Sequence, residues 1–177
     1  MVIKRYKLLA IFYGLVCHGI FLIAGAIMFS TILTGFQFSV GALEGLNAMA
    51  INFLLLIQFP IGHSFFLSKR GMRVLEIFGP KSYAKTLRTT IYATIASMQL
   101  ILLFSLWNFS GVFVWQIEMP ANLIMILLNL ASWALLSISS IQAGYKVQTG
   151  SLGWTSVYQG KEPIFPDMPT RGMFSIT

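Results

Sequence analysis

Residues 45–68 read GLNAMAINFLLLIQFPIGHSFFLS, a run without one formal charge, and the next five residues, KRGMR (69–73), carry three. A long apolar stretch closed abruptly by basic residues is the pattern of a helix that crosses a bilayer and stops at its surface. The same pattern recurs along the chain. From Leu8 to Leu33 there are 26 uncharged residues, which as a helix cover roughly 39 Å against a hydrocarbon core of ~30 Å. A third uncharged run begins at Thr89, and its apolar part ends near Phe109, where Trp107, Asn108, Ser110 and Gly111 belong at an interface. That run is too short for two crossings. A fourth occupies residues 119–145. The sequence therefore predicts an all-α integral membrane bundle, residues 1–143, of four transmembrane helices near 8–33, 45–67, 89–109 and 120–143.

Composition points the same way. Of 177 residues, 56% are hydrophobic and 10% charged, with a mean hydropathy of +0.78, a poor match to a water-soluble domain. Twelve Lys and Arg against five Asp and Glu leave +7, which on a soluble scaffold would point to a polyanionic partner. Here the cations sort by position. Lys4, Arg5 and Lys7 precede the first span, six lie between the second and third, and Lys146, Lys161 and Arg171 follow the fourth. The other two connections hold only Glu44 and Glu118. The excess is thus an orientation signal that puts both termini in the cytoplasm, with attraction to anionic lipid as a second effect and no nucleic-acid partner. Ala24-Gly25-Ala26 resembles a leader cleavage site, but the apolar run continues through Leu33, so this segment reads as the first span.

One cysteine, Cys17, and two histidines, His18 and His63, exclude a disulfide framework and leave no ligand set for a metal. Polar residues inside the spans are the remaining places for chemistry. Asn52 and His63 are eleven apart, within ~20° of one helical face, and Gln58 lies off that face. Pro60 and Gly62 weaken the helix just before His63 and Ser64. Those two residues can serve a site or simply rest at the interface, where polar side chains cost little. His18, deeper in the first span, is placed to hydrogen-bond across the bundle. Thr94, Ser97 and Ser105 in the third span and Asn122, Asn129 and Ser140 in the fourth form polar stripes that suit helix packing or a substrate lining. No Asp, Glu, Lys or Arg falls within a span, which argues against an ion pump or a proton relay across the membrane. Phosphate-binding and nucleophile-elbow motifs are absent from the sequence.

After Ala143 the text changes: residues 144–177 hold five glycines and three prolines. We read them as an irregular cytoplasmic tail with one short interfacial helix over 152–158, stopped by Gly160, and an extended path past Pro163, Pro166 and Pro169.

Several of these residues occur together in a known family. Gln58-Phe59-Pro60-Ile61-Gly62-His63-Ser64 with Lys69-Arg70-Gly71, Leu106-Trp107, Ser132-Trp133, Thr149 to Trp154, and Pro166-Asp167-Met168-Pro169-Thr170-Arg171-Gly172-Met173-Phe174 resemble the integral-membrane methyltransferases related to methanethiol S-methyltransferase and isoprenylcysteine carboxyl methyltransferase. The resemblance implies a helical membrane bundle in a bacterial cytoplasmic (inner) membrane and S-adenosylmethionine as methyl donor. It also implies a small or lipophilic thiol, carboxylate or amine as acceptor, and makes Gln58, His63, Ser64 and Asn52 candidates to line the substrate site. Catalytic and cofactor-binding residues stay unassigned, because family members continue past the Arg-Gly-x-Phe turn into the segment that supplies most of the cofactor site. Here Phe174 is followed only by Ser175-Ile176-Thr177, with Arg171 the one residue near that segment. The expectation is a methyltransferase-like chain that is catalytically incomplete as given. The alternative is a noncatalytic transmembrane subunit packing in a larger respiratory, photosynthetic or transport complex.

Overall fold

The computed structural model describes residues 2–36, 40–109, 121–167, 169, 170 and 172. Among them the chain is helical: α1 (Val2–Leu33), α2 (Gly45–Leu67), α3 (Lys69–Leu75), a 3-10 turn (Glu76–Phe78), α4 (Arg88–Ser105), α5 (Ala121–Gln142), α6 (Tyr145–Gln148) and α7 (Ser151–Gln159). The extended pairing described is a lone bridge between Gly41 and Asn108. The connection carrying Glu118, and Arg171, lie outside the described residues.

Three helices are long and apolar enough to cross a membrane: Arg5–Leu33, Gly45–Leu67 and Asn122–Gln142. Their outward faces carry exposed residues such as Leu8, Leu22, Leu46, Phe53 and Ile124, a surface suited to lipid rather than water. Of the four spans expected, α4 is not among these three. Its 18 residues include Thr89, Thr90, Thr94, Ser97 and Gln99. The reason is its position, since α4 packs against α1, α2, α3 and α7 at once. A helix clad in protein has less need of apolar side chains than one bathed in lipid, and Thr90, Ile91, Ala93 and Ser97 are all buried.

The core sits at one end of the bundle. Ala10, Leu75, Leu87, Ile91 and Val157 pack there with the rings of Tyr6, Tyr13, Phe66 and Trp154 around them. Helix α1, at 32 residues, is roughly 48 Å long and exceeds a ~30 Å hydrocarbon layer. Its surplus length is covered by α7, which lies against both α1 and α4. Lys7 stands 5.2 Å from the centre of the Tyr158 ring, and the Tyr13 hydroxyl donates to the Phe78 carbonyl at 2.6 Å. These contacts gather the N-terminal cations, the α3–α4 connection and α7 at one basic end.

Polar groups set the seat of α7. The Thr90 hydroxyl donates to the Gly150 carbonyl at 2.6 Å and accepts from the Trp154 backbone N–H at 2.9 Å. Trp154 Nε1 donates to His18 Nε2 at 3.0 Å, which fixes that histidine as an acceptor at Nε2 and gives it the cross-bundle bond expected from its depth. Gly150 enters the helix at φ +72°, and a Cβ there would stand 2.6 Å from Ala93 Cβ, so only glycine lets this turn approach α4. Replacing Thr90 with Val keeps the shape but strands a buried carbonyl and a buried N–H. We expect T90V to cost about 1–3 kcal/mol, read as an earlier unfolding midpoint in a mixed-micelle titration. An unchanged midpoint would show that the hydroxyl is not what seats α7.

Candidate functional site

Ser68 ends α2 and starts α3 in one residue: its N–H bonds the Phe65 carbonyl at 2.9 Å, and its Oγ accepts from Gly71 N–H at 3.1 Å. This tight reversal turns the basic helix α3 back along the bundle and brings Glu76 against the first turn of α4. There Glu76 forms an ion pair with Arg88.

The face of α2 toward α4 is joined by three polar pairs. At the end away from the cations, Asn52 accepts from Asn108 N–H at 2.8 Å and donates to the Asn108 carbonyl at 2.7 Å. Asn108 in turn accepts from Leu43 N–H at 2.9 Å and donates to the Leu106 carbonyl at 3.1 Å, so this buried amide ties off the end of α4. Midway, Gln58 Nε2 donates to the Gln99 carbonyl at 3.0 Å, and Gln99 Nε2 donates to the Gln58 carbonyl and Oε1, each at 3.1 Å. Although Gln58 is off the Asn52–His63 line, its long side chain reaches α4. Gly62 makes the room, because a Cβ there would collide with the Gln99 amide. Near the basic end, the Tyr92 hydroxyl lies 2.7 Å from His63 Nδ1 and 2.8 Å from Nε2. The Phe59 ring stands 5.4 Å away on centroids.

The four sequence candidates therefore separate. Gln58 and His63 both meet α4, Asn52 is taken up roughly 17 Å further along the helix, and Ser64 is exposed.

At the basic end a cavity of about 510 Å³ opens beside Tyr92. Phe66 and Leu67 of α2 and Met72 and Leu75 of α3 form its apolar wall, and Lys85, Arg88, Thr89 and Tyr92 line it from the start of α4 and the turn before it. Val147 of α6 and Glu162, Pro163 and Phe165 of the tail complete it. Two atoms of its lining residues, Arg88 Nε and Thr89 Oγ1, are buried without a hydrogen-bond partner, a condition that costs free energy unless something polar meets them. Sequence reasoning missed this wall. Its signal was Arg88 and Tyr92 at i and i+4, one helical face at the mouth of the span, but Lys85 and Arg88 were read only as orientation charges. Among the described residues no cluster of three or more His, Cys, Asp or Glu could hold a metal ion.

A second cavity of similar size, about 510 Å³, lies between α1 and α5. Met28, Ile32, Asn122, Asn129 and Trp133 are among its walls, and no titratable side chain is. It lacks the means for acid, base or charge chemistry that the first cavity has.

No protein-family model and no solved structure matches the chain. The chain is similar to methanethiol S-methyltransferase 1 of Bradyrhizobium diazoefficiens, 25% identical over 177 residues, in an alignment that takes in 94% of this chain. It spans 59% of the length of that curated relative. The likeness and the apolar helices together describe an integral membrane protein with a methyltransferase as a distant relative. They do not favour the alternative of a noncatalytic subunit in a larger complex.

The reciprocal amide pair is testable apart from any activity. Leucine at Gln58, at Gln99 and at both should give a non-additive double-mutant cycle with a coupling of about 0.6–1.7 kcal/mol in a lipid-like medium. Strict additivity would mean that the two amides do not recognise each other.

Proposed function

We propose that the chain is the membrane-embedded part of an S-adenosylmethionine-dependent methyltransferase acting on a small or lipophilic acceptor, with the cavity at the basic end as the meeting place. The observation that carries this reading is the likeness to a methyltransferase along 94% of the chain. The lining of the cavity suits the donor by its chemistry. Lys85 and Arg88 would hold a carboxylate, Glu162 an ammonium or sulfonium cation, and the Phe66 and Phe165 rings a flat base. When bound, S-adenosylmethionine supplies an electrophilic methyl group. The chain's own part is to hold both molecules in line and to keep water out, a task for the apolar wall of Leu67, Met72 and Leu75.

In this reading α4 is a fourth span that returns the chain to the side from which α2 left. The α2–α4 pairs, Asn52 with Asn108 at one end and His63 with Tyr92 at the other, support an antiparallel crossing of the two helices. With the cations gathered at the His63 end, the positive-inside rule puts the cavity and both termini in the cytoplasm.

The full chain in lipid nanodiscs should bind S-adenosylmethionine saturably, and Lys85→Met and Glu162→Gln should each weaken binding about tenfold, equivalent to ~1.4 kcal/mol. Wild-type protein without saturable binding would reject the proposal. For orientation, a reporter that fluoresces only in the cytoplasm should light up when fused after Lys161, and an enzyme active only outside should work when fused after Glu44. The reverse pattern would invert the topology.

A further inference from the structure

Helix α5 is the least covered of the three candidate spans: none of its described residues is buried, and Trp133 meets the Phe29 ring of α1 edge-on, 5.4 Å on centroids. Among the α5 residues lining the cavity between the two helices are Asn122, Met125, Asn129, Ser132 and Leu136. Those five are spaced alternately three and four apart, the seven-residue repeat of a helix that packs along another helix. Asn122 and Asn129 hold the same place in successive repeats, within ~20° of one face. Among the described residues neither side chain has a hydrogen-bond partner. Ser132, by contrast, donates to the Leu128 carbonyl at 2.8 Å and needs no other. Asn129 lies roughly 12 Å along the helix from Ala121, well inside the span. An amide at that depth without a partner is costly, because hydrocarbon offers it neither donor nor acceptor.

We propose that a second copy of this chain fills the α1–α5 cavity with its own α5, so that the protein is a two-fold dimer with these five residues as its seam. An amide carries both donors and an acceptor and is therefore complementary to itself. Copies of one chain insert in the same orientation, which makes their α5 helices parallel. Around a two-fold axis normal to the membrane, each residue of the seam then meets its own counterpart, and Asn129 bonds the partner's Asn129. An asparagine at such a position is known to fix register and helix number in paired helices. Ser132 is small enough to let the two backbones approach. Met28 and Ile32 of α1 form the opposite wall, so the incoming helix enters a trough, and by symmetry α1 and α5 of both copies make a four-helix bundle. A lipid tail would fill the space but leave both amides unpaired, and the cavity has no charged side chain to hold a headgroup. Met28 is roughly 27 Å along α1 from Ala10 in the core at the basic end, so the proposal is independent of the methyltransferase reading.

The test reads association and its location separately. The full chain, carrying donor or acceptor dyes on an appended tag, is reconstituted in liposomes over a series of protein-to-lipid ratios, and energy transfer reports the dimer. Wild type should associate reversibly as its density rises. Asn129→Leu should move half-association to about tenfold higher density, while Asn129→Gln, which keeps an amide, should retain most of it. For location, Ser132→Cys on the seam and Ile138→Cys, exposed and ~180° around α5 from Asn129, are oxidised in the membrane. Wild type, whose Cys17 is buried, is the control. A covalent dimer should form from Ser132→Cys alone. Unfolding midpoints at low density check that Asn129→Leu is folded, and the cysteine pair carries the test if it is not. Monomer at every density overturns the proposal, as does association unchanged in folded Asn129→Leu. Cross-linking through Ile138→Cys in preference to Ser132→Cys, or a monomer that retains a lipid or an unlike helix in the cavity, overturns it equally.

Discussion

The hydroxyl of Thr90 holds two backbone groups of a segment 60 residues further along the chain, and much of the structure depends on that grip. Without α7 the N-terminal half of α1 would present Ala10, Gly14 and Cys17 to an empty groove, and α4 would lack a neighbour on one side. With α7 seated, the chain is carried on to Glu162 and Phe165, which close the cavity that α2, α3 and α4 leave open. A side chain of three heavy atoms thus ties α7 to α4, and both to the candidate site. The interaction is strong because it is satisfied in both directions and fully buried.

Charge-free runs located α1, α2 and α5 well, because a lipid-facing helix must be apolar along its whole length and the sequence has no freedom to hide it. They were less informative about α4, since a helix packed against four others can carry threonines, serine and glutamine inward. The helix over Ser151–Gln159 was legible as a short amphipathic stretch. Its partner was not, because nothing in Leu152 or Val157 says whether lipid or another helix will cover it.

For the site, the residue types were legible and their partnerships were not. Asn52, Gln58 and His63 stood out as polar residues in an apolar run, but which of them serves packing depends on what α4 places opposite. Asn108 meets Asn52 with its own backbone, which makes that contact architectural. Tyr92, which lines the cavity, meets His63 with its hydroxyl. The wall of Lys85, Arg88 and Glu162 was hidden by a different effect: the same cations that orient a membrane protein can line a binding site, and composition cannot separate the two uses.

The length of α1 carries one more consequence. Because α1 is longer than a hydrocarbon layer is thick, its basic end has room for a cavity lined both by apolar Phe66 and Leu67 and by charged Lys85 and Glu162. A greasy molecule and a charged one would each meet, in one cavity, a lining of its own kind.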